Sequence, residues 1–105
     1  MKEDPILILA VIGGVYVDMY RVKCAKTAGC SYDDVAKHYN YRGREFALRN
    51  ASRDCANLSE NQLRKSIDEI MNIDLKLKST ATDKKLLLEE LIVKLILIAR
   101  EVSYA

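Results

Sequence analysis

Hydrophobic and polar positions along the chain resolve into five helical stretches separated by short polar joints, and no segment alternates with the two-residue period of a strand. The last stretch has the most unusual pattern. In the run Leu86 to Ile98 only three positions are charged, and with its flanks the polar residues Asp83, Glu90, Lys94 and Glu101 fall 7, 4 and 7 residues apart. That spacing gathers them on one narrow stripe of a helix and leaves the rest of its surface apolar. Such a helix needs neighbours on most of its circumference. Either it is central in a bundle or another chain covers it.

The first stretch predicts a helix from about Pro5, a residue suited to a first helical turn, to Thr27, with Gly29 as a left-handed stop. Gly13-Gly14 interrupts it at about 1 kcal/mol per glycine relative to alanine, which points to a kink or to close backbone packing. A short second helix has Ser31 as N-cap, Asp34 at its third position, and Cys30 and Val35 as a hydrophobic staple, and ends near Tyr39-Asn40. A third begins near Arg42 to Arg44 and runs to about Ala56, with Phe46, Leu48, Ala51 and Cys55 as its less polar positions. Its division into two faces is the weakest of the set. The fourth has the clearest start, a capping box of Ser59 and Gln62 with Leu58 and Leu63 in the staple positions. Leu63, Ile67, Ile70 and Leu77 form its apolar seam, with Asp74 at the remaining seam position. Ser79 to Thr82 breaks it before a fifth helix from about Asp83 to Val102. The predicted fold is all-α: a five-helix bundle with long helices 1, 4 and 5 and two short helices in a helix-turn-helix-like arrangement.

At 105 residues, half of them hydrophobic, the chain suits a single domain, 1–105, with one core. Its net charge of +2 is unevenly spread: Arg21 to Arg53 holds eight basic and three acidic residues, net +5, leaving −3 elsewhere. A local basic face keeps nucleic acid in view. Cys24, Cys30 and Cys55 include no Cys-x-x-Cys pair, and with the single His38 they argue against a disulfide framework or a metal site and for a reducing, cytoplasmic setting. The apolar start Ile6 to Val17, 12 residues, falls short of a bilayer span and has poor signal-peptide flanks, so no membrane is expected. We read it as the first helix, in a C-terminal piece of a longer protein.

Catalysis finds little support, since the chain has no Gly-rich phosphate loop, nucleophile elbow or metal-spaced cluster, and no catalytic residue, cofactor or metal is expected. Cys30 or Cys55 with His38 could form a thiol pair, but cysteine in a helical bundle is usually a small hydrophobe. Asp74 needs a partner: either an i,i+4 contact with Lys78, or a buried tie to helix 1 at Arg21 or Tyr20. Glu90 and Lys94 have the favourable order for a helical ion pair. Arg42, Arg49 and Arg53 fall 7 and 4 apart, and with Tyr39 and Tyr41 nearby they outline a second function class, a helix-turn-helix gripping DNA.

Several short matches, in order along nearly the whole chain, make it resemble the C-terminal domain of the DNA polymerase III delta subunit, a bacterial clamp-loader protein. They are Met19-Tyr20-Arg21-Val22-Lys23, Gly29-Cys30-Ser31 leading to Val35-Ala36-Lys37, then Ala51 and Leu58-Ser59 before Leu63. The closing matches are Asp74-Leu75-Lys76-Leu77-Lys78-Ser79, Thr82-Asp83 and Leu87-Leu88-Glu89-Glu90-Leu91-Ile92. One departure is Arg44-Glu45-Phe46, where the family usually opens its third helix with proline. The resemblance implies a non-catalytic collar: a helical bundle packed beside the C-terminal domains of the other clamp-loader subunits. DNA and the sliding clamp would be met only through the full assembly, and an ATPase-like region ahead of this domain would open the clamp. Helices 1 and 5 would then supply the interface, with Leu88, Ile92, Leu95, Ile96 and Ala99 as candidate contacts on helix 5.

Overall fold

Local chemistry sets most of the helix ends. The computed structural model describes residues 4–79 and 83–101, which form α1 (Pro5–Thr27), α2 (Tyr32–His38), α3 (Glu45–Asp54), a 3₁₀ turn (Cys55–Asn57), α4 (Glu60–Ser79) and α5 (Lys84–Ala99). The all-α, five-helix class therefore holds, with no strand among the described residues. Asp4 and Asp83 cap α1 and α5 by accepting the N–H groups of Ile6 and Lys85, each at 2.9 Å. After α1, Gly29 takes φ +81°, and the N–H groups of Gly29 and Cys30 return to the carbonyls of Lys26 and Ala25, closing a Schellman stop. At α2 the Asp34 carboxylate accepts the Ser31 N–H at 2.9 Å. This bond first, then Lys37, holds the carboxyl below its usual range. The Ser59–Gln62 box is complete at α4, with reciprocal bonds of 2.8 and 3.0 Å. The expected break beyond Ser79 lies outside the described residues, and α5 ends at Ala99 with Arg100 as its C-cap, short of the expected Val102.

Two expectations change. Helix α3 starts at Glu45, because Tyr41 to Arg44 is spent on a tight turn with Gly43 at φ +78°, closed by the Arg44 N–H on the Tyr41 carbonyl at 2.7 Å. It is also the most sharply two-sided helix: Leu48 and Ala51 are buried, with Cys55 just beyond, while Arg49, Asn50 and Arg53 are exposed. Phe46, named with Leu48, Ala51 and Cys55 among the less polar positions, is 53% exposed.

Every other helix packs on α1, which is the hub. Its first half joins α4 and α5 around Leu9, Ile70, Ile73, Leu77, Leu91 and Leu95; its second half joins α2, α3 and the start of α4 around Met19, Val22, Val35, Leu48, Cys55 and Leu63. Tyr16 packs against both clusters. Gly13-Gly14 does not break the helix, and a Cβ on Gly13 would meet Ile70 Cγ2 at 3.6 Å, so α4 runs close by at that point. Unbroken, α1 has 23 residues and is long and apolar enough by composition to cross a membrane, which corrects the expectation that the segment is too short. In the fold, its middle instead carries the buried carboxylate of Asp18.

Candidate assembly surface

Asp18 shows what locks the joint between α2 and α3. A buried carboxylate is costly unless hydrogen-bonded. The Tyr41 hydroxyl donates to it at 2.5 Å and in turn accepts from Arg21 at 3.1 Å, while the Arg44 guanidinium lies 3.7 Å from its other oxygen. Arg21 also covers the Tyr39 ring at 3.7 Å. Both tyrosines proposed for stacking on DNA are thus engaged within the chain, and Tyr41 is only 3% exposed. Arg42 sits in the turn rather than on α3, so Arg42, Arg49 and Arg53 do not share one helix face; Arg53 pairs with Asp54 at 3.1 Å. The α2–α3 joint, residues 39–44, is also longer than the three or four residues of a helix-turn-helix.

The buried tie from Asp74 to Arg21 is not formed. Asp74 binds Lys78 at 2.9 Å on the half-exposed flank of α4, and Arg21 belongs to the Tyr41 network. Of the two cysteines weighed as partners of His38, Cys55 is fully buried, with its Sγ 3.6 Å from the Ser52 carbonyl, while Cys30 is exposed and lines one cavity together with His38. Among the described residues, no group of three His, Cys, Asp or Glu side chains is placed to hold a metal.

Two of the rows the bundle presents outward are apolar. On α5 the buried row is Leu87, Leu88, Leu91, Leu95 and Ile98, so two of the five interface candidates, Leu88 and Leu95, are committed to the chain's own core. Ile92 (42% exposed), Ile96 (48%) and Ala99 remain on the surface. Beside them Leu86, Val93 and Leu97 are also exposed. The polar stripe explains the orientation. Lys94 reaches Glu69 at 3.3 Å and Glu101 reaches Lys65 at 3.2 Å, so the polar residues zip the edge of the α4–α5 seam and do not mark the solvent pole. The helix turns a greasy face to solvent as a result. A second outward row runs along the first half of α1 through Leu7, Val11 and Val15.

Beneath these faces, Gln62 fastens the ends of α4 and α5. Its amide donates to the Ile98 carbonyl at 2.9 Å and to the Glu101 carbonyl at 3.2 Å while its oxygen caps α4. The capping role was readable from Ser59-x-x-Gln62; the reach to α5 was not, since those partners are 36 and 39 residues away.

A family model described as the C-terminal domain of the DNA polymerase III delta subunit matches residues 1–95. The chain belongs to that family. No curated protein and no solved structure matches it. In this delta-family domain Asp18, Tyr41, Arg21 and Gln62 are engaged in internal ties, and aliphatic side chains stand outward along the outer rows of α1 and α5.

Proposed function

We propose that this domain is the collar of a clamp-loader delta subunit: a non-catalytic module that holds its subunit against the C-terminal domains of the others. In the cytoplasm the parent protein would serve the DNA polymerase III holoenzyme, meeting DNA and the sliding clamp only through the full assembly. One observation carries this reading. The surface rows Ile92, Ile96 and Ala99, with Leu86, Val93 and Leu97, form an aliphatic face on a helix that its own core holds firmly from the other side. Exposed apolar area of this kind is characteristic of interaction surfaces.

The test is the solution mass, by light scattering after size exclusion, of this chain alone and mixed with the C-terminal domains of the other clamp-loader subunits. A mixed complex that disappears on Ile92→Asp plus Ile96→Asp, in a variant that keeps its helical circular dichroism, is the expected result. A strict monomer in every mixture would refute the proposal.

A further inference from the structure

We infer that Cys24 and Cys30 form a redox-active dithiol at the end of α1, a modification site whose reactant is a low-molecular-weight disulfide of the glutathione class. The site lies between α1, α2 and α4, away from α5, and does not rest on the assembly reading above.

The stop that ends α1 folds the chain back on itself. The Cys30 N–H bonds the Ala25 carbonyl at 2.8 Å and the Gly29 N–H bonds the Lys26 carbonyl at 3.0 Å, a return that Gly29 permits at φ +81°. In such a stop the side chain that follows the glycine comes back over the last helical turn, here at the level of Ala25 and its neighbour Cys24. Cys24 and Cys30 accordingly line one cavity of about 800 Å³, walled by Ala25, Val35 and Ile67 and shared with His38. A cavity of that size admits a small organic molecule. Both thiols are free, Cys30 exposed and Cys24 half-buried, whereas Cys55 is sealed in the core. Access therefore selects this pair from the three cysteines.

The chemistry is a two-step exchange. The exposed Cys30 thiolate attacks one sulfur of the small disulfide, so that a mixed disulfide forms on Cys30 and the first glutathione leaves as its thiolate. The Cys24 thiolate then attacks Cys30 Sγ, the bond to the second glutathione breaks, and the internal S–S bond closes. Two protein thiols are oxidised and one small disulfide is reduced to two thiols. The two protons shed by the cysteines pass to the departing glutathione thiolates. Closing the ring 24–30 staples the start of α2, at Tyr32, to the end of α1. A reducing setting keeps the pair open, and a rise in small disulfide closes it.

The experiment equilibrates the reduced chain with mixtures of reduced and oxidised glutathione, quenches it in acid and reads it by mass spectrometry after trypsin. Cleavage after Lys23, Lys26, Lys37 and Arg53 places the three cysteines on separate peptides. The expected product joins peptide 24–26 to peptide 27–37 and leaves Cys55 reduced. Cys24→Ser should halt at a glutathione adduct on Cys30, Cys30→Ser should react about tenfold more slowly or worse, and Cys55→Ser should match the parent. Residues this close in sequence also meet in an unfolded chain, so the deciding quantity is the pair's effective concentration in buffer relative to that in urea. A fold that holds the two thiols together should raise it by about tenfold or more, and the oxidised chain should melt higher than the reduced one. A smaller ratio would overturn the inference, and so would a cross-link to Cys55 or a parent chain whose glutathione adducts never resolve into an internal disulfide.

Discussion

Replacing Tyr41 by phenylalanine removes one oxygen from the interior and nothing else. That oxygen donates to Asp18 at 2.5 Å and accepts from Arg21 at 3.1 Å. Its ring is 3% exposed, so water cannot take its place, and the Arg44 guanidinium at 3.7 Å compensates the carboxylate only in part. A hydrogen bond to a charged group contributes about 1.5–3 kcal/mol, so we expect Tyr41→Phe to cost about 2 kcal/mol, or about 10 °C in melting temperature for a domain of this size. Urea denaturation followed by circular dichroism measures it. In an Asp18→Asn background the same substitution should cost much less, since the charge it served is gone. The reasoning also predicts a pH signature. Burial first, then Asp18, holds the Tyr41 phenol above its ordinary range. The folded value therefore exceeds the unfolded one near 10, and the associated stability is whole below about pH 10 and lost as pH rises through the raised value. Tyr41→Phe should flatten part of that alkaline loss, while Tyr16, raised by its own burial, keeps the remainder. A cost below about 0.5 kcal/mol, or an equal cost with and without the Asp18 charge, would refute the buried tie.

Asp74→Asn should change stability by less than about 0.5 kcal/mol, because its pair with Lys78 is exposed on both sides and screened; a denaturation midpoint shifted well beyond that would contradict the pairing. Gln62→Ala removes a cap and two bonds to the end of α5, and should cost about 2 kcal/mol in urea titration, with amide exchange in the last turn of α5 speeding up first. The adjacent pair Leu91 and Ile92 tests the orientation of α5. Leu91→Ala, at 0% exposed, should cost about 2–5 kcal/mol and Ile92→Ala, at 42%, within about 0.5 kcal/mol; similar losses would mean the helix is rotated.

Helix ends were legible because their chemistry is local. Gly29, Ser31 with Asp34, and Ser59 with Gln62 each act within a few residues, and each stands where the sequence pattern puts it. The inward face of α5 was not legible, since a helix apolar on nearly all sides gives periodicity nothing to resolve. Its polar stripe misled by the usual rule: Lys94 and Glu101 face α4 carboxylate and ammonium groups, so the stripe lies at the seam. Phe46, one of the less polar positions of α3, faces outward because it lies two residues, about 200° around the helix, from the buried Leu48. The Asp18–Tyr41 tie spans 23 residues, beyond any local pattern, and reasoning from buried charge went to Asp74, which had Lys78 one turn away.

The division of labour between polar and apolar residues bears on how the domain would behave on its own. Long-range polar ties are spent inward: Asp18 with Tyr41, Arg21 and Arg44 fixes the α2–α3 joint to the hub, and Gln62 fixes α5 to α4. Each of these is satisfied within the chain and none asks for a partner. The outward rows of α1 and α5 contribute little to the chain's own core, which Leu9, Ile73, Leu77, Leu91 and Leu95 build from the other side. Substitutions on the outer rows should therefore separate cleanly from folding, changing mass in mixtures while leaving the unfolding midpoint of the isolated chain nearly fixed. Internal substitutions should do the opposite. A fold whose outer rows were needed for its own stability would lose both together, and the Ile92→Asp plus Ile96→Asp variant distinguishes the two cases in a single preparation.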